Sequence, residues 1–154
     1  MAMLTDPQGV PFYVMRGASD ETSYAFAFDR PRPGHVAWNE LSTTDPASAM
    51  SFYTRHFGWV QDGAMDMGPM GQYQFLRDAA GKGVLGALMP KMPEMPVPFW
   101  TFYFRVPSID AAAAQIPALG GQITHGPSEV PGEDWIINGI DPTGAHFALV
   151  GAKS

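Results

Sequence analysis

Three side chains in alternating, strand-like runs carry the charge that acid–base or carboxylate-binding chemistry needs: Glu40, Arg105 and His146. Glu40 shares strand parity with Trp38, Arg105 with Thr101 and Tyr103, and His146 with Ala148 and Val150. A carboxylate so placed can act as a base, and a guanidinium can hold the carboxylate of a ligand. Trp38 and Tyr103 offer ring faces for a planar or apolar molecule. The plainer reading of the same residues is a Glu40–Arg105 bridge with aromatic rings filling a sheet interior.

Other chemistries find little support. His35, His56, His125 and His146 form no i, i+4 pair or other local ligand spacing, and the chain has no cysteine. Disulfides, thiolate nucleophiles and Cys-ligated zinc are thereby excluded. No Ser-centred nucleophile elbow, phosphate-cradling Gly loop or His-Glu-x-x-His helix is present. Nine basic against fifteen acidic residues, without a Lys/Arg cluster, leave a net charge of −6 and argue against a nucleic-acid surface. No basic stretch leads into an apolar one at the N-terminus, and no run of about 18 apolar residues occurs. The expectation is a soluble, cytoplasmic protein with neither nucleic acid nor membrane as a partner.

The elements that must position these residues follow from period and punctuation. In 154 residues, 45% of them hydrophobic, there is material for one core, or for two similar halves sharing one. Seventeen Gly and fifteen Pro, spread without a period, predict many strands and turns. After a leader over 1–33, closed by Arg30-Pro31-Arg32-Pro33-Gly34, a strand runs through His35–Ser42. Asp45 as N-cap with Pro46 behind it predicts a helix to Phe57, and Gly58 stops it. Ala49, Phe52, Tyr53, His56 and Phe57 give that helix an apolar stripe. Strands are expected near 59–66, 71–77 and 83–89, with a tight turn at Asp78-Ala79-Ala80-Gly81.

The same order returns after a Pro-rich linker. A strand over Trp100–Val106 precedes a helix capped by Ser108, which runs to Leu119 with Pro117 bending or shortening it. Strands near 122–126, 134–139 and 145–151 complete the set, with His125 in a loop before Gly126-Pro127. Three turns also look alike. Asp141-Pro142-Thr143-Gly144, Asp78-Ala79-Ala80-Gly81 and Asp6-Pro7-Gln8-Gly9 each lead into an apolar strand, although such turns are common enough to recur by chance.

These residues resemble the vicinal oxygen chelate superfamily of glyoxalases, bleomycin-resistance proteins and extradiol dioxygenases. The likeness rests on Trp38-x-Glu40-Leu41-x-Thr43-x-Asp45-Pro46, Phe52-Tyr53 and Phe57-Gly58-Trp59 in the first half. In the second half it rests on Val106-x-x-Ile109-Asp110-Ala111-Ala112-Ala113, Gly120-Gly121 and Asp141-Pro142-x-Gly144. It covers residues 35–151, and the wording is closest to a tandem, hydroxylase-like or glyoxalase-like branch. The resemblance implies an α+β fold of two βαβββ modules, about 35–90 and 98–151 within a domain over 34–152. These form a curved mixed sheet with helices outside and a concave ligand cup inside.

In metal-dependent members, each module supplies ligands from its first and last strands. Carried over, those positions fall on Trp38, near Leu85, on Thr101 and on Ala148, with Tyr13 as the counterpart in the leader. None is His, Asp or Glu, so neither a metal nor another cofactor is expected. A shifted register brings in at most Glu40 and His146. The resemblance places Trp38, Glu40, Thr101, Tyr103, Arg105 and His146 in the cup as ligand contacts, with Glu40, Arg105 and His146 as catalytic candidates.

The function expected is binding of a small apolar or aromatic molecule without a metal. The stretches Met65–Met70 and Met89–Met95 serve either as an adaptable mouth over that cup or as core filler. Two alternatives stand beside it: a metal-dependent lyase or dioxygenase with displaced ligands, and an interaction module. In the second, the leader is the last strand of a missing preceding half and docks as an edge strand. A homodimer through the leader strand or the sheet edges belongs to the same reading.

Overall fold

A computed structural model describes residues 1–21, 25–26, 32–80 and 83–153. Arg30-Pro31 of the leader's closing run and Gly81 of the middle turn lie outside the described residues. The chain divides into two compact units, Met1–Tyr24 with Asn39–Trp100, and Ala25–Trp38 with Thr101–Ser154.

The first unit begins with a hairpin, β1 (Ala2–Thr5) antiparallel to β2 (Pro11–Val14). The extra strand expected in the leader is β2, and it pairs with β1, the four-residue strand ahead of it. β3 (Val36–Thr43) then enters and α1 (Pro46–Phe57) follows. Asp45 caps α1 by accepting from the Ser48 N–H, and Gly58 closes it in the left-handed conformation, where a side chain would be strained. β4 (Val60–Asp66), β5 (Gln72–Arg77) and β6 (Val84–Pro90) complete the module. The strand order is β4-β5-β6-β3, with only β6 and β3 parallel.

Side chains alternate across this sheet. Leu41, Leu76 and Leu88 point to one face and form a fully buried core with Ala49 and Tyr53 of α1 and Val10 of the leader. The opposite face carries Glu40 and Ala87, which are paired in register, and Phe75, paired with Ala87.

The second unit repeats the plan. β7 (Phe99–Val106) reaches into it, followed by α2 (Ile109–Ala118), β8 (Gln122–Val130), β9 (Asp134–Ile140) and β10 (His146–Ala152). Its order is β7-β10-β9-β8, with only β7 and β10 parallel. Ser108 caps α2, and Pro117 is accommodated within its last turn. His125, expected in a loop, lies within β8, which continues to Val130 because backbone pairing to β9 resumes at Ser128 after a register shift. Two βαβββ modules of mixed sheet and one helix each make this an α+β fold. Among the described residues, no helix is long and apolar enough to cross a membrane.

Candidate functional site

On the sheet face of the first unit turned away from α1, the half-buried Glu40 accepts a 2.8 Å hydrogen bond at Oε2 from the Tyr73 hydroxyl. β3 delivers the carboxylate and β5 the phenol, two strands away across β6. Tyr73 lies edge-on to Phe75, ring centroids 5.7 Å apart, and Ala87 and Met89 of β6 are buried beside them. Ser42, two residues along β3 from Glu40 and paired with Met89, is 1% exposed, and its Oγ has no hydrogen-bond partner. A carboxylate held by a phenol, next to a buried hydroxyl and apolar walls, can accept a hydrogen bond or a proton from a small molecule. Tyr73 was not singled out from the sequence. Its only signal was alternation with Phe75 in a strand facing Glu40.

Of the six residues expected to line one cup, Glu40 belongs to the first unit, and Trp38, Thr101, Tyr103, Arg105 and His146 belong to the second. Arg105 finds its carboxylate inside its own unit, pairing through Nη1 with Asp134 Oδ2. Glu40 finds Tyr73 inside its own. Each charge thus has a partner within its own unit. The reason is register: Arg105 pairs with Val150 of β10, and Asp134 stands on β9 at the end of the same three strands.

Tyr103 is 5% exposed and packs with Ala148, Val150, Trp38 and Ile136. The Tyr103 and Trp38 rings therefore pack together in the second unit. His146, expected to point inward with Ala148, is exposed, because the pairing of β10 with β7 begins only at Ala148. His56 is exposed against the Phe52 ring, His125 is exposed on β8, and His35 lies beside the Pro33 carbonyl.

The ligand positions that the resemblance marks do not fit a metal. Trp38 and Ala148 are packed in an apolar cluster, and Leu85 offers no donor. Among the described residues, no three His, Asp or Glu side chains come together.

One further hollow lies between the leader and α1. It holds about 290 Å³ and is lined by Leu4, Thr5, Phe12, Phe52, His56 and Phe57. Beside it, Asp6 is 4% exposed and accepts from the Tyr53 hydroxyl at 3.1 Å, while Trp100 Nε1 donates to the same hydroxyl at 3.0 Å. Burial, with the Asp6 charge adding to it, raises the pKa of Tyr53 well above the ordinary tyrosine range.

Comparison with known proteins agrees with this architecture. Residues 32–149 match the model of the Glyoxalase/Bleomycin resistance protein/Dioxygenase superfamily. CFP32 of Mycobacterium bovis, which carries a glyoxylase name, is 31% identical over 150 residues, 97% of this chain and 55% of its own length. The anthracycline biosynthesis protein DnrV of Streptomyces peucetius is 30% identical over 131 residues, 76% of this chain and 46% of its own. The chain spans about half the length of these curated relatives. Methylmalonyl-CoA epimerase from Mycobacterium tuberculosis shares the fold at 16% identity, with a TM-score of 0.56 over 77% of this chain and 90% of its own. A Streptomyces coelicolor methylmalonyl-CoA epimerase variant shares it at a TM-score of 0.59 and 16% identity, over 79% of this chain and 96% of its own. With two βαβββ modules and a family match over most of its residues, this chain belongs to the Glyoxalase/Bleomycin resistance protein/Dioxygenase superfamily.

Proposed function

We propose that this protein binds a small apolar or aromatic molecule on the sheet face of its first module, without a metal in the family positions. The observation that carries the reading is the Tyr73–Glu40 hydrogen bond, set among Phe75, Ala87 and Met89 beside the partnerless Ser42 hydroxyl. The apolar residues supply area, and the two polar groups supply orientation for a ligand bearing a hydroxyl or amine. DnrV and its counterpart DauV are named for anthracycline biosynthesis, and an anthracycline is a polycyclic aromatic. That agrees with an aromatic ligand.

The test is titration of a panel of phenolic and polycyclic aromatic compounds, read by tryptophan fluorescence, together with elemental analysis of protein purified without added metal. A binder is expected, and Glu40→Gln and Tyr73→Phe each weaken it about tenfold, which corresponds to about 1.4 kcal/mol. A silent panel overturns the reading. So does stoichiometric metal with metal-stimulated turnover of methylglyoxal and glutathione, which marks the protein as a lyase of the metal-dependent kind.

A further inference from the structure

Ser42 and Thr43, adjacent on β3, are each 1% exposed, and among the described residues neither hydroxyl has a hydrogen-bond partner. A buried hydroxyl left unpaired costs more than its hydrogen bond would have contributed, and most buried polar groups therefore find a partner. The two side chains lie on opposite faces of the sheet. Thr43 shares parity with Leu41 and the core against α1. Ser42 shares it with Glu40, on the face that carries the Tyr73–Glu40 hydrogen bond.

Glu40 and Ser42 stand two residues apart on one strand, which sets their Cα atoms about 7 Å apart. The Glu40 carboxylate accepts hydrogen bonds, whereas Ser42 has a hydrogen to give. Between and beside them the surroundings are apolar. Ala87 pairs with Glu40 and Met89 with Ser42 across β6, Phe75 pairs with Ala87, and all of these residues belong to the first unit. Met89 is 8% exposed. Its unbranched thioether is the flexible neighbour that can turn aside and open the Ser42 hydroxyl to a ligand.

We infer that Ser42 selects the ligand of this site: a phenol with a ketone on the far side of its ring, whose hydroxyl donates to Glu40 and whose carbonyl accepts from Ser42. The inference rests on the binding reading above and adds to it a second ligand group of fixed kind and distance. A carbonyl para to the phenol spans the two residues. A carbonyl ortho to it does not, and the hydroxyl of such a compound already bonds to its own carbonyl. A carbonyl also suits the place better than a second hydroxyl, which would bring a hydrogen that Ala87 and Met89 leave unpaired.

Calorimetric titration with para-hydroxyacetophenone, ortho-hydroxyacetophenone and para-ethylphenol tests this, in slightly acidic buffer where the phenols stay neutral. Wild type is expected to bind the para ketone about tenfold more tightly than either other compound. In Ser42→Ala that ratio should fall to about one, and in Met89→Ile, where branching at Cβ stiffens the side chain beside Ser42, it should fall as well. Thr43→Val removes the partnerless hydroxyl of the opposite face and should keep the wild-type ratio. Urea unfolding supplies a second measurement: Ser42→Ala is expected at a midpoint no lower than wild type, because the free protein loses no hydrogen bond. A lower midpoint shows the hydroxyl already partnered and overturns the inference. Equal affinity of wild type for the para ketone and para-ethylphenol overturns it too, and leaves an aromatic site standing. Absence of binding by all three compounds overturns that site and the inference together. A ratio that survives Ser42→Ala, or that Thr43→Val abolishes equally, removes Ser42 as the selecting group, and one that Met89→Ile leaves unchanged overturns the access step.

Discussion

The hairpins β1–β2 and β9–β10 turn on the same hydrogen bonds, but their aspartates stand in opposite surroundings. Asp141 is half-exposed, and its Oδ1 also accepts from the Thr143 hydroxyl. Asp6 is buried, and its second oxygen accepts from Tyr53, which ties the leader to α1 and, through Trp100 Nε1, to the start of β7. Local sequence builds the turn in both places, with Gly9 and Gly144 taking the positive φ of 83° and 93° that it requires. What packs on the turn then decides whether its carboxylate is a surface feature or part of the core.

The strands differ as well. Gly139 lies under the ring of Phe147, and a Cβ there would stand 2.5 Å from Phe147 Cζ and 2.8 Å from the Gln122 carbonyl oxygen. At the equivalent place in the leader stands Leu4, and the ring of Phe12 leans on Phe52 and Phe57 of α1 instead, with centroids 6.0 and 5.7 Å apart. One hairpin is closed by strands on both edges, the other by a helix on one face.

Substitutions can break this comparison at both ends. Asp6→Ala leaves two backbone N–H groups and the Tyr53 hydroxyl without their acceptor in a buried place, and is expected to cost about 3 kcal/mol in urea unfolding. Gly139→Ala forces a methyl against Phe147 and the Gln122 carbonyl, and a loss of about 2 kcal/mol should appear in the same measurement. The half-exposed Leu4 accepts Ala at well under that cost.

Tyr53→Phe removes one donor and one acceptor from the Asp6–Tyr53–Trp100 chain, for about 1–2 kcal/mol at neutral pH. Because the neutral phenol is favoured in the fold, its contribution is complete below the ordinary tyrosine pKa of about 10 and is lost as pH rises beyond it. Thermal unfolding of the variant should therefore fall less steeply than wild type above that pH. The smallest effect is expected for Asp141→Asn. The hydrogen bond from the Thr143 hydroxyl, and then the one from the Ala145 N–H, hold the Asp141 carboxyl below the usual carboxylate range. Wild type should lead the variant slightly above about pH 4, and the gap should close as pH falls through the lowered pKa.

Much of the architecture was legible because it rests on local rules. Asp45 with Pro46, the stripe through Ala49 and Tyr53, and Gly58 marked α1 from cap to cap. The repeated order of strand, helix and three strands followed from turn residues between alternating runs. β1 was missed because four residues carry too little period to stand out, and β8 was cut short because Gly126-Pro127 reads as a break although pairing to β9 resumes beyond it.

At the candidate site, Glu40 was legible from its strand and parity. Tyr73 and Asp134 were not, because each is brought to its partner by strand order: β5 beside β6 beside β3, and β9 beside β10 beside β7. Adjacency of that kind is settled by which hydrophobic faces pack, and sequence spacing does not carry it.

By itself, the sequence determined the two modules, the helix ends and the Asp-Pro-x-Gly turns. These depend on residue type and on neighbours a few positions away. Tertiary structure decided which carboxylate meets which partner, that His146 faces solvent, and that one hairpin is enclosed while its copy keeps a bare apolar face. Those outcomes depend on contacts between residues about thirty or more positions apart, such as Glu40 with Tyr73 and Asp6 with Tyr53, and only the folded chain brings such residues together.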